Sequence, residues 1–436
     1  SNIDNQRIDS VHIKSNMRRL GRIGIFTSTI HKFLINLKRN HKVLFDTLDT
    51  GIKDKYLSEK SLQCFSMVKP SESSKTLASV SSDLFDLVEQ FKNDSEIKSM
   101  HSFKLLERVL NEQCNVSDDG KQVEVKKPKE IPSDSLQNPS DPDATYSGHK
   151  GQGYQVQVME TYCKDGESDN SLNLITHVEV EPSHESDANA LLPAIESAKQ
   201  RNVSPEELLA DSLYGSDENC QKAAELGVHV VAPAMGSIKK EDHINLSDFE
   251  STENNIVTSC PEGHAPVQTK TNKAGTRHTA TFDSQHCIVC PFQETCPAKA
   301  GKKNHYLRYK TKEMRLAKRR TSEQTDEFKD RYRWRAGVEA TMSEFDRKTG
   351  VKHLRVRGLK AVRFCATLKA TAINLFRATA VQKAINRAKA PQAGGASARI
   401  HAILVFKEHF FLFRTRLKRV LGIFRRHYEH TLIMAT

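Results

Sequence analysis

The sequence of 436 residues lacks the features that mark membrane, secreted and nucleotide-binding proteins. It has no run of 18 apolar residues, so it predicts no transmembrane helix. Its first residues, SNIDNQRIDSVHIKSN, contain no apolar segment of a signal peptide. It contains no glycine-rich phosphate loop, so we expect no nucleotide cofactor. Charged residues make up 28% of the chain and aromatic residues 7%, which favours a soluble globular protein of the cytoplasm.

Acidic residues are scarce in the last third of the chain. Residues 301–436 hold 33 lysines and arginines against 10 aspartates and glutamates, which gives a formal charge of +23. The first 300 residues hold 33 against 44, which gives −11, and the two parts sum to the overall +12. Folding does not require such segregation, so the basic third predicts a polyanionic partner, most simply nucleic acid. The alternative is a solvated basic surface.

The nine cysteines are odd in number, which argues against a disulfide framework and for a reducing compartment. Four of them lie close together in the sequence. CPEGH contains Cys260 and His264, and CIVCPFQETC contains Cys287, Cys290 and Cys296. These five soft ligands exceed the four that tetrahedral Zn²⁺ needs. Because the segment is polar and has little predicted core, a structural zinc ion could order it. The alternative is a set of ordinary thiols in a surface insertion.

Composition and hydrophobic periodicity divide the chain into segments. We predict a first strand of the core in 1–16, a helical insertion and connector in 17–130, the α/β core in 131–250, a Cys/His-rich insertion in 251–300, a helical region in 301–389 and a basic amphipathic tail in 390–436. Within the core, alternating residues predict strands at 153–163 and 172–183. A helix at 184–202 and further short strands follow, which together predict a mixed α/β sheet.

The stretch RYRWRAGVEATMSEFDRKTG (331–350) reads as one helix with two neighbouring stripes at 100° per residue. The apolar stripe predicts burial, and the polar stripe borders it instead of lying opposite. The first stripe is Trp334, Val338, Thr341 and Phe345, and the second is Tyr332, Arg335, Glu339 and Asp346. The simplest interpretation is a half-buried Arg335–Glu339 pair worth a few tenths of a kcal/mol.

Three acidic residues occupy positions next to the predicted core. Asp9 lies inside the strand RIDSVHI, Asp211 closes an apolar strand, and Glu339 lies on the helix just described. A carboxylate beside a core is costly unless a positive group neutralises it, and divalent cations do so. Two such ions about 3.5–4 Å apart can activate an attacking oxygen and stabilise a leaving one. Taken singly, an Asp at a strand end is more often a turn former.

Several sequence motifs together resemble the DDE transposases of bacterial insertion sequences. They are RIDSVHI, GHKGQGYQVQV, LITHVEVEPSHESDANALLPAI, LLADSLYGSDEN and YRWRAGVE, in the family's order. The last resembles the Y-x2-R-x3-E signature with Tyr332, Arg335 and Glu339. The resemblance implies an RNase H-like mixed sheet with helices on both faces. It also implies that Asp9, Asp211 and Glu339 are metal ligands.

The resemblance implies a metal-dependent enzyme that cleaves DNA at insertion-sequence ends and transfers the strands. Its cofactors would be two Mg²⁺ or Mn²⁺ ions, and its partner would be double-stranded DNA held by a homodimer or higher oligomer. Arg335 would orient Glu339 or contact a phosphate, and Tyr332 would pack near the scissile strand. No membrane partner is implied, and the location would be the bacterial cytoplasm at the nucleoid. The alternatives are an RNase H-like nuclease without strand transfer and an inactive DNA-binding descendant.

The sequence departs from this pattern in three places. The family often has Lys seven residues after the Glu, whereas here Asp346 stands there with Arg347 and Lys348 just beyond. More than a hundred residues separate the first two strands, and Asp141 or Asp143 of SDPDATY, on one face of a strand, is an alternative first carboxylate. The chain begins eight residues before Asp9, which leaves open that it is a fragment without an N-terminal DNA-binding domain.

Overall fold

The structure is a computed structural model that describes residues 3–389, except for 59–64, 66, 119, 165–171 and 237–242. The predicted amphipathic tail at 390–436 lies outside the described residues. The chain divides into a unit of residues 1–379 and a second unit from residue 380, of which 380–389 are described as the end of a helix. Across the described ranges, no helix is both long and apolar enough to cross a membrane.

The β-strands fall in four parts of the chain: the N-terminus, the end of the insertion predicted at 17–130, the core predicted at 131–250, and the region after it. They are β1 (Asn5–Lys14), β2 (Cys114–Val116), β3 (Val123–Val125), β4 (Thr145–Ser147), β5 (Gly151–Thr161), β6 (Ile175–Pro182), β7 (Glu207–Leu209), β8 (His229–Val231), β9 (Glu250–Ser251), β10 (Val257–Ser259), β11 (Gln268–Thr271), β12 (Arg277–Asp283), β13 (Lys299–Ala300) and β14 (Asn304–Lys310).

The α-helices lie mainly between β1 and β2, in the core, and after β14. They are α1 (Arg22–Asn40), α2 (Lys42–Asp46), α3 (Thr50–Leu57), α4 (Ser73–Phe91), α5 (Ser95–Ser99), α6 (His101–Gln113), α7 (Leu191–Gln200), α8 (Asp217–Glu225), α9 (Ser284–Ile288), α10 (Thr311–Ser322), α11 (Asp326–Tyr332), α12 (Gly337–Thr349) and α13 (Leu359–Lys389).

The central sheet is mixed and has the strand order β4–β5–β1–β7–β8, with β6 also paired to β5. β5 runs antiparallel to β1 and to β6, whereas β7 runs parallel to β1 and β8 parallel to β7. The first strand of the chain therefore lies in the middle of the sheet. This mixed α/β arrangement is compatible with the predicted RNase H-like fold.

Alternation along β1 directs side chains to two separate cores. Ile8 lies on one face and packs in a cluster with residues of α7 and α8, whereas Val11 and Ile13 lie on the other face with residues of α12 and α13. All three side chains are buried. Successive strand residues point to opposite faces, so a strand buried on both sides is covered by helices on both sides. Asp9 shares the face of Val11.

The insertion between β1 and β4 has a helical core of its own, made mainly by α1, α4 and α6. Phe33 stands at its centre, with ring centroids 5.8 Å from both Phe91 and Phe103. The predicted polar connector contains a short antiparallel hairpin of β2 and β3. Cys114 of that hairpin is buried in the helical core, so this cysteine has a packing role.

The prediction that the Cys/His-rich insertion has little core is wrong. β11, β12, β14 and β13 form a four-stranded antiparallel sheet in that order. Alternate residues of β12 are buried, and Phe282 packs with Phe249, Leu307 and Met314. Because β14 pairs with β12, the predicted boundary at residue 300 falls inside a sheet.

The single helix predicted at 331–350 is broken. α11 ends at Tyr332, a 3-10 turn covers Arg333–Ala336, and α12 begins at Gly337. Half-buried Trp334 therefore packs with Tyr162, Leu209 and Val231, apart from the core over β1 and β5 that takes Val338 and Phe345. One helical projection cannot describe both segments, because the 3-10 turn changes the angle per residue.

Candidate active site

Strand pairing brings Asp9 and Asp211 to the same level of the sheet. β1 and β7 are parallel neighbours, and Arg7 of β1 pairs with Leu209 of β7. Asp9 and Asp211 each lie two residues further along the chain from this pair. Parallel strands advance by the same rise per residue, so the two carboxylates come close together just beyond the end of β7.

The 3-10 turn and α12 add the other two predicted residues. Arg335 donates from Nη2 to Asp9 Oδ2 at 2.9 Å, and its Nη1 lies 3.3 Å from Glu339 Oε1. The distance from Arg335 Nη2 to Asp211 Oδ2 is 4.0 Å. The structure thus brings all three predicted carboxylates around one guanidinium. We call Asp9, Asp211, Arg335 and Glu339 the open cluster.

Exposure differs sharply within the open cluster. The Asp9 side chain is 16% exposed and that of Glu339 is 72% exposed. Burial raises the pKa of Asp9 above its usual range, and the negative charges of Asp211 and Asp187 raise it further. Arg335 and the hydrogen bond from the Ser10 amide lower it only in part. The site therefore holds carboxylates that repel one another around a limited positive charge.

Asp211 also forms the turn that follows β7. Its Oδ1 accepts a hydrogen bond from the Leu213 amide at 2.8 Å, and the Tyr214 amide lies 3.4 Å from the same oxygen. This is the local role that an Asp at a strand end usually has. Its Oδ2 is the atom nearest to Arg335, so the two oxygens serve different groups.

Tyr332 lies beside the open cluster on α11. Its ring stacks on Phe328 with centroids 5.5 Å apart and an interplanar angle of 18°. Burial raises the pKa of Tyr332, Arg335 lowers it, and Asp211 and Asp9 raise it again. The charges of the open cluster therefore influence the pKa of the Tyr332 phenol.

A cavity of about 370 Å³ opens next to Asp9 and Glu339. Arg347 and Lys352 bring positive charge to its lining, and Lys352 Nζ stands 4.0 Å from Asp346 Oδ2. Lys348 is engaged elsewhere, because it pairs with Glu344 and its ammonium lies over the Phe376 ring. The lining residues are Asp9, Ser10, Glu339, Met342, Ser343, Asp346, Arg347 and Lys352.

The alternative first carboxylates lie in a turn before β4, not on one face of a strand as predicted. Asp141 is fully buried and accepts hydrogen bonds from Ser15 Oγ at 2.6 Å and from Tyr154 OH at 2.5 Å. Its Oδ1 also accepts from the Gly358 amide at 2.9 Å. Asp143 accepts from the Leu359 amide at 2.8 Å, at the first residue of α13. Both side chains thus accept hydrogen bonds from the backbone at the start of that helix. Among the described residues, neither of them contacts Arg335.

A second cluster of charged residues lies beside the open cluster, and it was not predicted from the sequence. Glu160 of β5 is fully buried and its Oε1 accepts from Arg7 Nε at 2.8 Å. Its Oε2 accepts from Arg377 Nη1 at 2.8 Å, and both its oxygens accept from Thr341 Oγ1 at 2.8 Å. We call Arg7, Glu160, Thr341 and Arg377 the closed cluster. The cross-strand register Arg7–Glu160 is the signal that could have revealed it, but only once the pairing of β1 with β5 is known.

Arg7 connects the two clusters. Its Nη1 donates to the Trp334 carbonyl at 2.7 Å, within the turn that carries Arg335. A Cβ atom at Gly337 would lie 2.0 Å from Arg7 Nη1, so a larger residue there would require this guanidinium to move. The fold thereby fixes the start of α12 against β1, and with it the position of Arg335 and Glu339.

The cysteines predicted to bind zinc also come together. Cys260, Cys287, Cys290 and Cys296 line one cavity of about 40 Å³ beside the four-stranded sheet. All four are free thiols and half-buried. In the part of the chain that the structure describes, however, no three His, Cys, Asp or Glu side chains are arranged to hold a metal ion. That finding applies both to this cavity and to the open cluster.

Comparison with known proteins gives one result. Residues 259–379 match a protein-family model described as Transposase DDE domain. The matched segment spans about a quarter of the chain, and it contains Arg335 and Glu339 but neither Asp9 nor Asp211. Searches of curated proteins and of solved structures found no significant match. The family match supports a DDE transposase.

Proposed function

We propose that this protein is a DNA transposase that cuts and joins DNA strands at the ends of an insertion sequence. The observation that carries the proposal is the convergence of Asp9, Asp211 and Glu339 on Arg335 from three distant segments. The family match supports it for the segment that contains Arg335 and Glu339, and the resemblance of the sequence adds Asp9 and Asp211 as the other two carboxylates. Among the three candidates for the first position, Asp9 is favoured because Asp141 accepts hydrogen bonds from Ser15, Tyr154 and Gly358 and Asp143 accepts one from Leu359.

The donor atoms of the open cluster have the chemistry that suits a hard divalent cation, although the described side chains as they stand are not arranged around an ion. Asp9, Asp211 and Glu339 offer only carboxylate oxygens, which Mg²⁺ and Mn²⁺ prefer. Their negative charges outnumber the positive charge of Arg335, so the site favours additional cations. We propose these three as the residues that would hold two Mg²⁺ or Mn²⁺ ions. When bound, such ions would supply an activated oxygen nucleophile and stabilise the leaving oxygen of a phosphodiester.

Arg335 and Tyr332 would position the carboxylates and the DNA. Arg335 contacts Asp9 and Glu339 through its Nη atoms, while its Nε is buried and has no hydrogen-bond partner among the described residues. An unsatisfied buried donor on a charged group is costly, and a phosphate oxygen is a suitable acceptor for it. Arg335 would thus orient Glu339 and bind phosphate, and the Tyr332 ring would pack near the scissile strand.

The cavity beside the open cluster offers a place for the DNA backbone. Arg347 and Lys352 line it. They would supply the positive charge of the Lys that the family often has at the position of Asp346. The charge of +23 over 301–436 supports a wider basic surface for double-stranded DNA. DNA binding should then weaken steeply with salt, since each neutralised phosphate releases counterions. Equal binding constants at about 50 and 200 mM salt would contradict this part of the proposal.

Two rivals remain, a nuclease of similar fold and an inactive DNA-binding descendant. The presence of all three carboxylates around one guanidinium favours an active enzyme over the second. A joining assay with pre-cleaved DNA ends distinguishes a transposase from a nuclease, because a nuclease produces no joined product.

The decisive experiment removes single carboxylates. Asp9→Ala, Asp211→Ala and Glu339→Ala should each reduce DNA cleavage by orders of magnitude, because metal-ion stabilisation of the transition state is worth several kcal/mol. DNA affinity should stay unchanged, since it rests on the basic surface. The matched control is Asp143→Ala, which removes a carboxylate that only caps α13. Normal cleavage by Asp9→Ala together with loss in the control would assign the first carboxylate to Asp143.

A second readout keeps the site assignment testable if the chain needs a missing partner for cleavage. Mn²⁺ affinity of the same four variants should fall for Asp9, Asp211 and Glu339 and stay unchanged for Asp143. Equal Mn²⁺ affinity in all four would overturn the assignment of these carboxylates.

A further inference from the structure

Two tight turns direct cysteines to one end of the small four-stranded sheet. In the first turn, the Cys260 amide donates to the His264 carbonyl at 2.9 Å and the Gly263 amide donates to the Cys260 carbonyl at 2.8 Å. Gly263 has φ +80°, a conformation that favours glycine. In the second turn, the Cys290 amide lies 3.4 Å from the Cys287 carbonyl at the end of α9. Each turn is short and carries a cysteine at its start.

The four cysteines line one partly enclosed space. Cys260, Cys287, Cys290 and Cys296 all line the cavity of about 40 Å³, and none forms a disulfide. A space of this size accommodates a single small ion or one or two waters.

The fifth soft ligand of the sequence, His264, lines the same cavity as the four cysteines, and so does His286. His264 is exposed, and its ring stacks on His286 with centroids 4.2 Å apart and an interplanar angle of 6°. The four cysteines are half-buried. Within one cavity, the structure therefore distinguishes four half-buried thiols from a histidine that is exposed and stacked on a second ring.

We propose that Cys260, Cys287, Cys290 and Cys296 form a structural zinc site. Four thiolates satisfy the tetrahedral preference of Zn²⁺ and leave no open position for a substrate. The side chains as they stand are not arranged to hold an ion. Binding therefore requires the thiols to lose their protons and to change rotamer within the cavity that they line.

Such a site would cross-link two parts of the region that are separated in the sequence. Cys260 follows β10, whereas the other three cysteines lie between β12 and β13. The four-stranded sheet already connects these parts, because the Val267 amide donates to the Thr281 carbonyl at 2.7 Å and β11 pairs with β12. A zinc ion would cross-link the loops independently of the chemistry at the open cluster.

The experiment measures metal in the full-length chain purified under reducing conditions and reconstituted with Zn²⁺. We expect about one zinc per chain, and Co²⁺ substitution should produce the strong near-ultraviolet absorption of thiolate–cobalt bonds. The Cys287→Ser/Cys290→Ser double variant should lose both signals. The matched control is Cys365→Ser, which changes an unclustered half-buried thiol in α13 and should retain both.

Two further measurements make each outcome decisive. His264→Ala should keep the zinc, and loss of zinc in this variant would overturn the four-cysteine assignment. In the wild-type chain, added zinc should protect four thiols from a thiol reagent and leave the other five as reactive as before, which tests the proposal even if the double variant does not fold. Absence of bound metal after reconstitution, or a disulfide between any of the four cysteines, would overturn it. None of these readouts depends on DNA cleavage.

Discussion

Arg7 of the closed cluster and Asp9 of the open cluster lie two residues apart on β1, but the two clusters differ in their exposure to water. In the closed cluster, Glu160 is fully buried and every oxygen has a partner on Arg7, Arg377 or Thr341. In the open cluster, three carboxylates share Arg335, and Glu339 is largely exposed beside a cavity of about 370 Å³. The closed cluster has two cations for one carboxylate, whereas the open cluster has one cation for three carboxylates.

This difference separates a structural ion network from a site suited to chemistry. A buried carboxylate with complete pairing has no capacity for another ligand, and removing a partner leaves an uncompensated charge. A cluster with excess negative charge and an open side can accept cations and substrate. The same residue types therefore have opposite roles, and pairing and exposure distinguish them.

The largest expected effect is on catalysis, at the open cluster. Glu339→Gln removes a charge that contacts only Arg335 across 3.3 Å among the described residues. We expect cleavage to fall by about a thousandfold or more, since metal stabilisation of the transition state is worth several kcal/mol. The free energy of unfolding should change by less than about 1 kcal/mol, as for other exposed ion pairs. Single-turnover cleavage and urea denaturation measure the two effects, and a large loss of stability would remove the contrast with the closed cluster.

The next effect is on stability, at the closed cluster. Glu160→Ala leaves Arg7 and Arg377 without their buried partner, which should cost about 3–5 kcal/mol. Urea denaturation of this variant beside Glu339→Ala, which changes an exposed carboxylate, measures the difference. If both variants lose similar stability, the two clusters do not have separate roles.

A smaller effect is expected where the clusters meet. Gly337→Ala places a Cβ 2.0 Å from Arg7 Nη1, while Arg7 is held by Glu160 and the Trp334 carbonyl. Overpacking of this kind costs about 1–3 kcal/mol. Cleavage should also fall at unchanged DNA affinity, because the turn that carries Arg335 shifts. The control is Gly148→Ala, where nothing lies within 4 Å of the new Cβ. Normal stability and cleavage of Gly337→Ala would show that Arg7 can move away freely.

Alternation allowed much of the sheet to be predicted from the sequence. RIDSVHI and YQVQV have the period of two that a strand requires, and both lie in the strands β1 and β5. The same approach identified Asp9 and Asp211 as candidate site residues, because a carboxylate beside a core costs free energy unless a positive group neutralises it. The same signal exists in RHTATFD of β12, but its polar surroundings led to the prediction of a coreless insertion.

The features that could not be predicted from the sequence depend on contacts between residues that are far apart in the chain. The break before Gly337 follows from the approach of Arg7, which is 327 residues from its acceptor Trp334. The engagement of Asp141 follows from Gly358, 217 residues away. Periodicity within one segment contains no information on such partners, so the sequence left the helix continuous and the choice of first carboxylate open.

The smallest expected effect is the pH dependence of stability at Asp9. Burial, the largest cause, raises its pKa in the folded protein above the usual range, so ionisation costs more there than in the unfolded chain. Wild-type stability should therefore decrease as pH rises from the ordinary carboxyl range through the raised pKa, and Asp9→Asn should not show this decrease. We expect the variant to be more stable than wild type at pH 7, with a difference that vanishes at a pH below the ordinary carboxyl pKa. Thermal denaturation of both proteins without divalent ions, over a pH series, measures this difference. A variant that is less stable at pH 7 would mean that attraction by Arg335 outweighs burial, which would make Asp9 a satisfied structural partner like Glu160.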